Sequence, residues 1–301
     1  NDRAGMKNAG VAWGRMDFKV FQKIVDDLAE FDEKLKKLKI GNHGEPTLHP
    51  RLPEMIEYVK DREIAEVIEV FTNGSKLNPK LNQELVDAGL QRINISVEGL
   101  NSDAYRKVAG VRMDFPSFVE NVRDLYERRR QLKIYVKVVN GARVRGGDQG
   151  EVIELSDRDR KFFFDTFGGI SDEIFVENVV PQWAETDQNE LSDVGMYGQE
   201  IKGYKEVCPF PFMYLHFNSD GTVAGCTLDW ARKVLIGDAT KEMVKKIWQG
   251  KRLRALQSTM LKGKRNEIPF CNSCDAPMVC CNEDLDPHRE SILGKIMPEL
   301  N

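Results

Sequence analysis

LKKLKIGNHGEPT, residues 35–47, reads as a short strand over 35–40 that runs straight into a Gly-rich polar turn. In parallel βα architectures ligands bind at the carboxyl ends of strands, where glycines let backbone atoms approach closely. Taken alone, such a turn is equally a tight entry into the next helix. The arrangement recurs, however. Thr72-Asn73-Gly74 follows the apolar run 67–71, and Ser96-Val97-Glu98-Gly99 closes the run that starts at Arg92. Three polar, Gly-containing strand ends in succession point to a ligand rim.

Outward from this rim the pattern alternates. Asp17 is a good N-cap for a helix whose Phe18, Phe21, Ile24, Val25 and Leu28 share one face. Helices are expected over 52–62, from Asn78-Pro79 to Gly89, over 117–130 and over 156–167, and strands over 133–139 and 173–179. Strand–helix alternation argues for a parallel sheet, either doubly wound or a full or partial barrel. The series opens on a helix, and a βαβ crossover needs a strand before it. The pattern therefore reads as a six-stranded unit whose first strand and following loop are missing.

After residue 180 the composition changes. Residues 181–205 read as a polar linker between a domain over 1–180 and a smaller one over 206–301. A hairpin is expected over 213–226, turning at Ser219-Asp220-Gly221, followed by a helix capped by Thr240 and ending at Trp248 and another over 253–261.

The chain has 301 residues, 41% hydrophobic and 31% charged, with net charge −4. That composition describes an ordinary globular chain with no general attraction to nucleic acid or anionic membrane. With no signal-peptide pattern and no apolar run of transmembrane length, a cytoplasmic location is expected, where thiols stay reduced.

Six cysteines occur, all after residue 207, spaced Cys208-x12-Gly221-x4-Cys226 and Cys271-x2-Cys274-x5-Cys280-Cys281. Two separated pairs of thiolates suit one soft metal centre, and spacing alone leaves structural zinc and iron–sulfur both open.

Together these motifs resemble the radical S-adenosylmethionine (SAM) enzymes. Gly44-Glu45-Pro46-Thr47 is similar to the end of that family's GGEPT motif, with His43 in place of its first glycine. Thr72-Asn73-Gly74 resembles its TNG strand end, and Ser96-Val97-Glu98-Gly99 its SLDG strand end. The resemblance implies a partial (β/α)6 barrel in which Gly44, Glu45, Pro46, Thr72, Asn73 and Ser96 surround SAM. Cys208-Pro209-Phe210, Asp220-Gly221, Cys226, 235–238, 247–250 and Cys271-x2-Cys274 resemble the SPASM or twitch extension, a small hairpin-and-helix domain that binds auxiliary 4Fe-4S clusters. Six cysteines cannot ligate two complete clusters, so a single cluster on Cys208, Cys226, Cys271 and Cys274 is expected. The family's catalytic C-x3-C-x2-C has no counterpart here, and the resemblance places it in a segment preceding Asn1.

The implied activity is hydrogen abstraction by a 5'-deoxyadenosyl radical from a peptide or a sugar or aminocyclitol. The auxiliary cluster would aid oxidation or substrate binding, and a flavodoxin or ferredoxin would supply electrons; no nucleic-acid or membrane partner is expected. Glu98 and Lys137 are each a substrate contact or base, or half of an interior ion pair. Cys280 is a hydrogen-atom donor, as a radical epimerase would need, or packing in the knuckle. The rival from another class is a non-catalytic SAM- or partner-binding protein with a zinc knuckle.

Overall fold

The computed structural model describes residues 7–11, 14–143, 152–181 and 194–297. Two compact units emerge, residues 32–179 and the combination of residues 1–31 with 180–301. Among the described residues no helix is long and apolar enough to cross a membrane.

The unit of residues 32–179 is built on five parallel strands: β1 (Leu35–Ile40), β2 (Ala65–Thr72), β3 (Arg92–Val97), β4 (Lys133–Val139) and β7 (Glu173–Glu177), adjacent in that order. Every new strand joins the same edge. A doubly wound sheet would reverse direction partway, so this order selects the barrel-type winding over the open alternative. A short antiparallel pair, β5 (Gly141–Arg143) and β6 (Val152–Glu154), interrupts the alternation before the helix Asp157–Phe167.

Register explains how the sheet is used. Glu69 faces Arg92, Arg92 faces Lys133, Ser96 faces Lys137 and Val139 faces Glu177, so one face carries Glu69, Arg92, Asn94, Ser96, Tyr135, Lys137, Glu173 and Glu177. The opposite face carries Ile68, Val70, Ile93, Ile95, Val97, Ile134, Val136 and Val138, all buried. Burying each such aliphatic side chain is worth roughly 1.5–3 kcal/mol. Strands of a parallel sheet covered by helices on both sides are usually apolar throughout. The alternation here concentrates the polar and charged side chains on one face, which it shares with Val67, Phe71, Val139 and Phe175, as the wall of a largely polar interior requires.

Helix boundaries follow local chemistry. Asn78 caps Pro79–Asp87 through Lys80 and Leu81, Gly89 takes φ +90 just past the end, and Asp114 caps Phe115–Arg128 through Ser117. The helix Ser102–Ala109, which the periodicity did not reveal, is capped by Asn101 and ends on left-handed Gly110. At eight residues its apolar stripe is too short to stand out.

In the other unit, β8 (His216–Phe217), β9 (Thr222–Ala224) and β10 (Leu235–Asp238) form a three-stranded antiparallel sheet turning at Gly221, φ +86. The expected hairpin is present but shorter, because Phe210–Met213 is a turn of helix. The capping role expected of Thr240 is corrected. Asp238 holds its amide and hydroxyl, and the helix is Val244–Trp248, with no side-chain cap at Met243. The Val244 N–H is instead received by Asp27, 217 residues away at 3.0 Å, on the helix Phe18–Leu28. A carboxylate at a helix N-terminus satisfies an orphan donor and complements the dipole. Most of the expected linker, 182–193, lies outside the described residues. Beyond it, Met196 and Ile201 pack on Val180, Met278 and Val279.

Candidate active site and cluster cavity

At the carboxyl ends of β1 and β2 the Glu45 carboxylate is a four-way brace. Its Oε1 accepts from the Thr47 amide (2.9 Å), the Thr47 hydroxyl (2.6 Å) and the Thr72 hydroxyl (2.7 Å), while Oε2 accepts from the Asn73 amide (2.7 Å). Thr72 Oγ1 also accepts from the Gly74 amide, and Asn73 Oδ1 from the Ser75 amide. Glu45 and Thr72 therefore spend their polar atoms holding the two loops in register. Pro46 is buried against Gly41, whose φ is +93 and whose added Cβ would lie 2.7 Å from the Phe71 carbonyl oxygen. Gly44 differs: at φ +123 nothing lies within 4 Å of where its Cβ would be. Backbone approach is open there, as a ligand rim requires.

Ser96 belongs to the polar face, and the rim of β3 is tied to that of β2 by a residue the sequence did not single out. Tyr105, fully buried, points its hydroxyl at the carbonyls of Asn73 (3.3 Å) and Ser96 (3.5 Å). Its ring packs on Phe115 and Phe118. Burial holds the phenol well above the usual tyrosine range.

Burial likewise raises the Glu98 carboxyl, with Lys137 opposing the shift and Glu45 and Glu177 adding to it. Lys137 forms a bidentate pair with Glu177, 2.9 Å to each oxygen, on the polar face. A second cluster on that face joins Arg92 to Glu69 (2.9 Å) and to both oxygens of Glu173. Between them, Asn94 is 5% exposed and its Oδ1 has no hydrogen-bond partner.

In the other unit Cys208, Cys226, Cys271 and Cys274 line one cavity, with Phe210, Met260, Phe270 and Arg265 among its walls. Three separate chain segments bring them together. Gln257 donates to the Pro211 carbonyl at 2.9 Å, pinning the Cys208 segment to the helix Lys251–Leu261. Asp229, fully buried, accepts the amides of Lys233 and Val234 and so fixes the loop after Cys226. Arg265 donates to the carbonyls of Cys271 (3.1 Å) and Cys274 (2.8 Å), closing the CxxC knuckle.

The Leu228 amide donates to the Cys226 sulfur at 3.4 Å, and the amides of Phe210 and Ala276 lie near the sulfurs of Cys208 and Cys274. Burial raises all four thiols, Cys271 to about 12, and the neighbouring backbone amides oppose the rise at Cys208, Cys226 and Cys274. Among the described residues no group of His, Cys, Asp or Glu closes on a single metal ion. The four cysteines line one cavity, and the guanidinium of Arg265, whose buried Nε has no hydrogen-bond acceptor, lies behind its apolar wall. A donor set of four thiols, amides near sulfur and an unpaired cation fits an anionic, sulfur-ligated cluster. Cys280 lies elsewhere, packed with Val180, Met278 and Val279.

A barrel-wound sheet with a braced strand-end rim and a separate cysteine-lined cavity is the arrangement that the radical SAM resemblance implied. The comparisons agree. Residues 6–140 match the radical SAM superfamily, and residues 208–275 match SPASM, an iron-sulfur cluster-binding domain. The chain belongs to the radical SAM superfamily and carries a C-terminal SPASM domain. The cofactors of that class are 4Fe-4S clusters and SAM.

Over 86 residues the chain is 45% identical to a probable GTP 3',8-cyclase of Methanococcus maripaludis (strain C5), covering 29% of this chain and 27% of that protein. Over 87 residues it is 39% identical to the tungsten-containing aldehyde ferredoxin oxidoreductase cofactor-modifying protein of Pyrococcus furiosus, covering 29% and 24%. The chain thus spans about a quarter of the length of these curated relatives. Among solved structures, BtrN in complex with AdoMet and 2-DOIA superposes with a TM-score of 0.58 at 16% identity, covering 91% of this chain and 86% of that one. Streptococcus suis SuiB bound to precursor peptide SuiA gives 0.55 at 14%, covering 89% and 64%. At these identities the likeness is one of fold.

Proposed function

We infer that this chain serves a radical SAM oxidoreductase or maturase that removes hydrogen from a peptide or a sugar or aminocyclitol. The observation that carries the reading is the convergence of Cys208, Cys226, Cys271 and Cys274 on one cavity. When bound, SAM would supply the 5'-deoxyadenosyl radical that takes the hydrogen atom, one electron from a flavodoxin- or ferredoxin-type donor breaking its C5'–sulfur bond with methionine leaving. The chain's own residues do the rest. Gly44 leaves backbone open to SAM, while Glu45, Pro46, Thr72 and Asn73 hold that turn, and Ser96 lies at the adjoining strand end. Glu98 and the Lys137–Glu177 pair line the polar side where a substrate proton would be held or moved.

All six cysteines follow residue 207, so these 301 residues supply ligands for the auxiliary cluster alone. In this reading the cluster held by these cysteines would take up the electron left on the substrate as a proton departs, and the product would be two hydrogens lighter. The substrate classes take support from the neighbours' bound molecules, 2-DOIA for BtrN and a precursor peptide for SuiB.

The test uses the full-length polypeptide, purified without oxygen. Iron and sulfide are expected, with the auxiliary share lost in Cys208→Ala and Cys271→Ala and kept in Cys280→Ala. Zinc in place of iron at these four cysteines would refute the reading. So would a product of unchanged mass whose formation stops in Cys280→Ala, which is the signature of an epimerase.

A further inference from the structure

Arg265 is 1% exposed, yet among the described residues no carboxylate forms an ion pair with it. Its Nη1 reaches only the carbonyls of Cys271 and Cys274, and its guanidinium carbon lies 4.5 Å from the Tyr204 ring centre. Its Nε is buried without an acceptor. Asp275 feels the cation through space, and no ion pair to Arg265 exists among the described residues. A guanidinium does not escape burial by losing its proton. An unpaired buried cation costs several kcal/mol unless an anion lies beside it. The side chain lines the cavity of Cys208, Cys226, Cys271 and Cys274, whose other walls are largely apolar. A cluster held by four thiolates is anionic in both redox states, and by one charge more when reduced.

We propose that Arg265 is the resident counter-charge of the auxiliary cluster, stabilising its one-electron-reduced state and so fitting it to accept an electron. This rests on the cluster reading above. Arg265 is a positioning residue. It touches the backbone of two ligand cysteines from behind an apolar cavity wall and acts on the cluster through charge. Cluster potentials respond to local charge, hydrogen bonds and burial.

The test is an EPR-monitored dithionite titration of the full-length protein, with Arg265→Gln and Arg265→Lys, alongside iron and sulfide analysis. The auxiliary signal is the one that added SAM leaves unchanged. Arg265→Gln is expected to keep its iron and shift the reduced-to-oxidised ratio about ten-fold toward oxidised at a fixed potential, about 59 mV for a one-electron couple. Arg265→Lys, which keeps the cation, is expected to stay within about two-fold of wild type. A Gln variant within two-fold at full iron content overturns the proposal, as does a Lys variant that shifts as far as Gln. Should Arg265→Gln fail to assemble, the Lys variant decides alone. A shift within two-fold supports the proposal, and one of ten-fold at full iron content overturns it. Wild-type protein lacking iron and sulfide at these cysteines marks failure of the cluster reading itself, which the metal analysis reports separately.

Discussion

Glu45→Gln tests whether the rim of β1 and β2 is held by one carboxylate. The substitution keeps size and one oxygen, so Oε1 can still serve Thr47 and Thr72. The other oxygen becomes an NH₂ group facing the Asn73 amide, which now stands 2.7 Å from an acceptor. Donor meets donor, and the amide loses its partner. Leaving one such group unsatisfied costs about 1–3 kcal/mol, and the three remaining bonds lose their charge assistance. Glu45 is half-buried, so solvent screens part of this, and a net loss of about 2–3 kcal/mol is expected. At about 2–4 °C per kcal/mol for a domain of 150–250 residues, the melting temperature should fall by roughly 4–12 °C. Differential scanning calorimetry of the full-length protein measures this without invoking any ligand, and SAM affinity by calorimetry should fall with it. A Thr72→Val partner completes a double-mutant cycle, with a coupling of about 0.5–3 kcal/mol expected for groups sharing one hydrogen-bond network. A melting shift under about 1 °C, or strict additivity with Thr72→Val, would show that the brace is incidental.

Lys137→Met strips the cation from Glu177, whose side chain is only 5% exposed, and should destabilise by about 3–5 kcal/mol in urea melts, with Lys137→Met/Glu177→Gln recovering most of it. Gly74→Ala combines φ +71 with a Cβ built 2.5 Å from the buried Phe118 ring; a loss of about 2–4 kcal/mol is expected, and near-neutral behaviour would mean the loop relaxes freely. Glu98 has a folded-state pKa above its ordinary value of 4.5, so the native state binds more protons than the unfolded one as pH rises from there. Stability should therefore fall as pH climbs from about 4.5 through the raised value, and Glu98→Gln should flatten that part of the profile in pH-dependent melts.

The strand ends and the thiols were legible in the linear chain because their chemistry is local. A Gly-rich turn after an apolar run advertises a rim, and CxxC spacing advertises a soft ligand pair wherever they fold. Tyr105, Asn94, Asp229 and Arg265 carried no such signal, since each takes its meaning from neighbours distant along the chain. Arg265 is a surface-type residue by composition, and only its enclosure at 1% exposure beside four sulfurs makes it notable. The start of Val244–Trp248 could not be read from its own residues, because its capping carboxylate comes from Asp27.

Periodicity and turn chemistry alone determined that this chain alternates strand and helix and ends in a thiol-rich appendage, because backbone preference and side-chain period are properties of neighbouring residues. The tertiary structure decided three things: that the sheet winds in one direction, that its polar face is laced by Arg92–Glu69 and Lys137–Glu177, and that four cysteines from three segments share a cavity. Strand order, ion pairing and cavity shape depend on which distant residues come to lie within a few ångströms, and burial then sets the strength of every charge among them.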